Sequence, residues 1–149
     1  MKRDPSDPRA FWRICALAAP PIAFAIASAG FISRPHEPWR DIALIALWSV
    51  AEEIVFRGAL QPALARAFAS RFGSEGQARW LTPANLATSV LFAALHLWRH
   101  PVVLALGVFP VSLVYGKARE LSGRWWPAAV LHFYFNLLLY AASWLVGPR

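Results

Sequence analysis

Apolar residues in this chain gather into five stretches, at about 11–32, 42–65, 83–98, 101–115 and 125–146. A helix that crosses the hydrocarbon core of a bilayer needs roughly 20 residues, within a range of about 17–25. The first, second and fifth stretches meet that length. The third and fourth are short, and Pro101 and Pro110 interrupt the fourth. The pattern predicts an all-α polytopic transmembrane helix bundle with about five spans. A short disordered cytoplasmic tail is expected over residues 1–10, and a membrane-embedded core over 11–149. No repeat or low-complexity segment is evident. The first stretch also resembles a secretory signal, with basic residues, an apolar run and Ala27-Ser28-Ala29 as a cleavage site. Asp4, Asp7 and the pair Pro20-Pro21 favour a retained span instead.

Composition supports the bilayer as solvent. The 149 residues suffice for one domain, 58% of them are hydrophobic and 15% are charged, against about 25% charged in soluble domains. The net charge of +7 does not point to nucleic acid, because the basic residues sit between apolar runs rather than on one wet face. That placement suits membrane loops facing anionic lipid. With the N-terminus inside and five spans, the inner segments hold ten basic residues: Lys2, Arg3, Arg9, Arg13, Arg66, Arg71, Arg79, Lys117, Arg119 and Arg124. The outer segments hold four, namely Arg34, Arg40, Arg99 and Arg149, and Arg57 lies within a span. The bias predicts N-in, C-out. The single cysteine, Cys15, excludes an internal disulfide and reads as a packing residue.

Charged groups at the bilayer centre cost about 2.5–3.5 kcal/mol each on insertion scales, so they need a partner or a function. The second stretch contains Glu52, Glu53 and Arg57 within six residues. Glu53 and Arg57 are four apart, share a helix face and are expected to pair. Glu52 is rotated about 100° from that face, which makes it the costlier carboxylate and the better functional candidate. The third stretch contributes Phe92 and His96, and the fifth His132 and Asn136, again four apart. At about 1.5 Å per residue, Glu52, His96, His132 and Asn136 all fall roughly 10–20 Å from the cytoplasmic side.

Each residue alone has a plain reading. Glu53–Arg57 is a structural ion pair, His96 an interfacial histidine, and His132–Asn136 an interhelical hydrogen-bonding pair. His36 and His100 fall in expected loops. Tyr115, Tyr134, Tyr140 and the tryptophans read as belt or packing residues. Together, a carboxylate, two imidazoles and an amide at similar depth suit peptide hydrolysis. A carboxylate and an imidazole take a proton from water, while a second imidazole and an amide donate to the developing oxyanion. A zinc site of Glu52, His96 and His132 is the rival chemistry. The chain lacks HExxH, and Asn136 is a poor zinc ligand but a good oxyanion donor, so no cofactor is expected. A small transporter using Glu52 as carrier is disfavoured by the single cluster and the lack of an inverted repeat.

The motifs, in order, are EExxxR at Glu52–Arg57, FxxxH at Phe92–His96 and HxxxN at His132–Asn136. On separate hydrophobic segments they resemble the CPBP family of intramembrane proteases (CAAX prenyl protease 2, Abi or bacteriocin-processing), over about residues 48–140. The resemblance implies water activation by Glu52 and His96, an oxyanion hole from His132 and Asn136, and support from Glu53 and Arg57, with Phe92 the companion of His96. It also implies a glutamate rather than a metal mechanism. The substrate would be a membrane-associated protein or peptide with a hydrophobic or lipidated tail, such as a C-terminal sorting tail or a CAAX-like tail. Eukaryotic members have more spans, so this chain is similar to a small bacterial member of the inner membrane. A non-enzymatic immunity or scaffold protein with a degenerate site is the alternative.

Overall fold

A computed structural model describes residues 8–30, 37–72, 81–98 and 100–146. Every regular element among them is helical: α1 (Pro8–Ser28), α2 (Pro38–Glu53), α3 (Gln61–Phe72), α4 (Pro83–His96), α5 (Val102–Ser122) and α6 (Trp126–Val146). A π-helical segment, Ile54–Leu60, joins α2 to α3. Among the described residues, α1, α5 and α6 are long and apolar enough to cross a membrane, at 21 residues each. The chain is therefore an integral membrane protein. Helix α4 has 14 residues, about 21 Å of rise, against a hydrocarbon core of about 30 Å.

Three boundaries differ from the apolar pattern, each for a physical reason. Helix α1 opens at Pro8, inside the expected tail. A proline in the first helical position gives up only an N–H that has no partner there. The rest of that tail, residues 1–7, lies outside the described residues. Helix α5 runs through Pro110 to Ser122, so Lys117 and Arg119, expected in a loop, belong to its last turns. It stops at Gly123, whose φ of +69° suits a left-handed helix end. The helical run over the second stretch extends to Phe72 and is not one α-helix, because it widens into the π segment. The cause is Pro62, the second residue of α3. In an α coil its ring would collide with the carbonyl four residues back, that of Gly58. The wider coil avoids this, and the Gln61 N–H reaches five residues back to the Phe56 carbonyl.

The chain divides into two compact units, residues 1–48 with 132–149 and residues 49–131. In the first, α1 buries Phe11, Cys15, Ala19, Ala23 and Ala27, a seam of four-residue steps made mostly of small side chains. Small residues let helices approach closely where hydrophobicity alone cannot drive them together. Ala23 and Ala27 pack with Ala142 of α6, flanked by Leu138 and Leu139. Pro20 lies inside α1 and has no N–H to offer the Ala16 carbonyl. The Tyr134 hydroxyl donates to that carbonyl at 3.0 Å. This gives Tyr134 a partner that its reading as a belt residue did not anticipate.

In the second unit α4 packs along α5. Thr82 caps α4 by accepting from the Asn85 N–H at 3.1 Å, and Pro83 starts the helix. Asn85 is buried, donates to the Leu113 carbonyl at 3.0 Å and lies against Gly116. A Cβ at position 116 would meet the Asn85 Oδ1 at 1.8 Å, so only glycine fits there. Gln61 donates to the Gly116 carbonyl and to Glu120, both at 3.2 Å. Glu120 also accepts from the Thr82 hydroxyl. These bonds tie the starts of α3 and α4 to the end of α5.

The Tyr134–Ala16 bond yields a direct test. Tyr134→Phe should lower stability in detergent by roughly 0.5–2 kcal/mol, the range for side-chain hydrogen bonds between membrane helices. Pro20→Ala in the same background supplies the missing N–H and should recover most of that loss in thermal unfolding. Equal stability of wild type and Tyr134→Phe would contradict the assignment.

Candidate functional site

Six of the seven residues that pattern and motif single out as catalytic or supporting are buried or half-buried polar groups, the seventh being the Phe92 ring. The centre of the second unit is Arg57. It and Glu53 have no solvent exposure at all, so in a membrane neither charge has water to stabilise it. The expected pair is present: Arg57 Nη1 donates to Glu53 Oε1 at 3.1 Å. Arg57 Nη2 donates to the carbonyl of Ser112 at 2.8 Å and to the Ser112 hydroxyl. Three rings surround the guanidinium carbon, with centroids 4.7 Å (Phe92), 5.5 Å (Tyr115) and 5.9 Å (Phe56) away. Such contacts favour a cation most where it is desolvated. Its main-chain carbonyl accepts from Arg119 Nε at 3.0 Å.

Phe92 connects this cluster to His96. Its ring meets Phe56 edge to face at 4.8 Å and the His96 ring at 4.6 Å. The Phe92 carbonyl lies 2.8 Å from His96 Nδ1. A carbonyl only accepts, so Nδ1 carries the proton, and in the neutral ring Nε2 keeps its lone pair. This contact fixes the orientation of the His96 imidazole. His100 stacks on it, with centroids 5.7 Å apart, although its expected loop position had given it no role.

Glu52 is the penultimate residue of α2, beside Glu53, and is half-buried. Its Oε2 is buried and has no hydrogen-bond partner among the described residues. Glu52, Glu53, Arg57, Phe92 and His96 thus all belong to the second unit, within or beside one polar cluster. His132 and Asn136 lie one turn apart on α6 in the first unit, His132 buried and Asn136 half-buried. Within neither unit do the described residues group three His, Cys, Asp or Glu side chains as metal ligands. A groove of about 230 Å³ lined by Leu81, Asn85, Pro110, Leu113, Val114 and Lys117 contains none of these motif residues.

Tyr115 is the buried packing residue expected, whereas the contacts of Ser112 and Arg119 were not legible in the pattern. A serine in an apolar stretch and an arginine at its end carry no local signal. Only the approach of α5 to the π segment gives them meaning.

The family described as type II CAAX prenyl endopeptidase, Rce1-like, matches residues 34–138. No curated protein and no solved structure matches the chain.

Arg57→Ala would leave the Glu53 carboxylate buried without its cation, a change that costs about 3–5 kcal/mol in buried pairs. The double variant Glu53→Met with Arg57→Met removes both charges and should be less destabilised than Arg57→Ala alone. Thermal unfolding in detergent decides this. A double variant as unstable as the sum of the singles would contradict the pairing.

Proposed function

The chain belongs to the Rce1-like type II CAAX prenyl endopeptidases of the CPBP group, an intramembrane protease by that membership, and on this premise we propose that Glu52 and His96 activate the hydrolytic water. The Glu52 carboxylate takes one proton from water, whose other proton hydrogen-bonds to His96 Nε2. The oxygen attacks the carbonyl carbon of the scissile bond. N–H donors of His132 and Asn136 hold the resulting oxyanion. Their spacing of one helical turn, about 6 Å of rise, lets both side chains address one oxygen from the same face. The proton held by Glu52 then passes to the leaving nitrogen and the C–N bond breaks; the second water proton passes from the new carboxyl through His96 Nε2 to the amine, so that a carboxylate and an ammonium group depart. Glu53 and Arg57 fix the helix that carries Glu52, and Phe92 orients His96.

The observation that supports this reading most directly is the bond from His96 Nδ1 to the Phe92 carbonyl. It leaves Nε2 as the basic nitrogen in the same unit as a Glu52 carboxylate oxygen that has no donor among the described residues. Asn136 adds to it, since a neutral amide serves an oxyanion better than it serves zinc. We assign the substrate as a membrane-associated protein or peptide, cut near a hydrophobic or lipidated C-terminal tail.

The test is hydrolysis by the purified protein in detergent of an internally quenched peptide with a prenylated cysteine three residues from its C-terminus. Mass spectrometry identifies the new termini. Glu52→Gln and His96→Ala should abolish cleavage. His132→Ala and Asn136→Ala should lower kcat by about 100- to 1000-fold, as for other oxyanion donors. Full activity should survive dialysis against a strong chelator. Cleavage by Glu52→Gln, or its loss on chelation, would contradict the mechanism.

A further inference from the structure

Pro62 leaves a second mark on the chain. In the π register the Gln61 N–H turns to the Phe56 carbonyl, and the next main-chain donor, that of residue 62, would reach the carbonyl of Arg57. Residue 62 is proline and has none. The Arg57 carbonyl is therefore left without a main-chain donor, in an apolar environment where an unsatisfied carbonyl is costly. Arg119 Nε donates to it at 3.0 Å. Seven residues earlier, two turns away along α5, Ser112 accepts from the side chain of the same arginine. Arg57 is thus held to one helix at both ends, its side chain by Ser112 and its main chain by Arg119.

We propose that Arg119 is a positioning residue for the hydrolysis, holding the π turn that sets the direction in which Glu52 is presented. This rests on the assignment of Glu52 as the base. Each residue of an α-helix advances about 100° around the axis, and each residue of the wider π coil advances less. The length and place of the π segment therefore decide how Glu52 is oriented relative to α3 and everything packed on it. Without a donor for the Arg57 carbonyl, the π turn can shift along the run, and Glu52 turns with it. Arg119 acts through the main chain and touches no reacting atom.

Two substitutions separate a donor from a charge or from bulk. Arg119→Met keeps the length of the side chain and removes every N–H. Arg119→Gln removes the charge and places an amide N–H where Nε stood. With the prenylated quenched peptide as probe, Arg119→Met should lower kcat by about 10- to 100-fold, the scale for a small misplacement of a catalytic group, with KM within about twofold. Arg119→Gln should recover most of that loss. If Arg119→Met is folded and has wild-type kcat while Glu52→Gln is inactive, the positioning role is overturned and the base assignment stands. If Glu52→Gln is active, the base assignment falls and takes this role with it. Should Arg119→Met fail to fold, Arg119→Gln decides: a folded variant near wild-type kcat supports the proposal, and a folded variant with kcat reduced tenfold or more overturns it.

Discussion

A guanidinium that no water reaches must find all its acceptors in protein, and that requirement organises the second unit. Arg57 meets it at its two terminal nitrogens, with Glu53 one turn back and Ser112 on α5, and with the faces of Phe56, Phe92 and Tyr115, while its Nε has no hydrogen-bond partner among the described residues. Burying a pair of charges does not by itself favour folding, since desolvation offsets the attraction. What the cluster confers is position. Rings and acceptors that converge on one cation from α2, the π segment, α4 and α5 fix those elements at one mutual register. Of the two residues read as the water-activating groups, Glu52 adjoins Glu53, the partner of that cation, and His96 is separated from the cation by the Phe92 ring. The placement of Glu52 follows from the structural pair, and that of His96 from its contacts with Phe92 and His100.

A second constraint runs through both units. Prolines interrupt α1, α5 and the run from α2 to α3, and each withholds a main-chain donor. In water the freed carbonyls would be solvated. In a bilayer another part of the protein must supply the donor. Tyr134 does so for Ala16, which Pro20 leaves short, and Arg119 does so for Arg57, which Pro62 leaves short. One rule therefore gives roles to a tyrosine and an arginine that look unremarkable as residue types.

Much of this was legible in the pattern of residues, and the part that was not shares one cause. Long apolar runs announce helices, so the all-α class follows, as does the family from three spaced motifs. The pairing of Glu53 with Arg57 follows from a spacing of four and the cost of leaving either alone. The ends of elements were less legible. Polar residues in the last turns of α5 read as loop, because hydropathy does not register helix that is held by hydrogen bonds to neighbours. The π segment was invisible to a count that assumes 3.6 residues per turn, although Pro62 is its visible cause. Ser112 and Arg119 depend on an approach between elements 55 and 62 residues apart in sequence, which no local pattern encodes.

In the proposed mechanism Glu52 draws a proton from water rather than attacking the substrate itself. A single turnover in water enriched in oxygen-18, with enzyme in excess, measures this directly. General-base catalysis predicts that the label enters the new carboxylate of the peptide product at the first turnover, with none on the protein. Label on the Glu52 carboxylate, with an unlabelled first product, would contradict it.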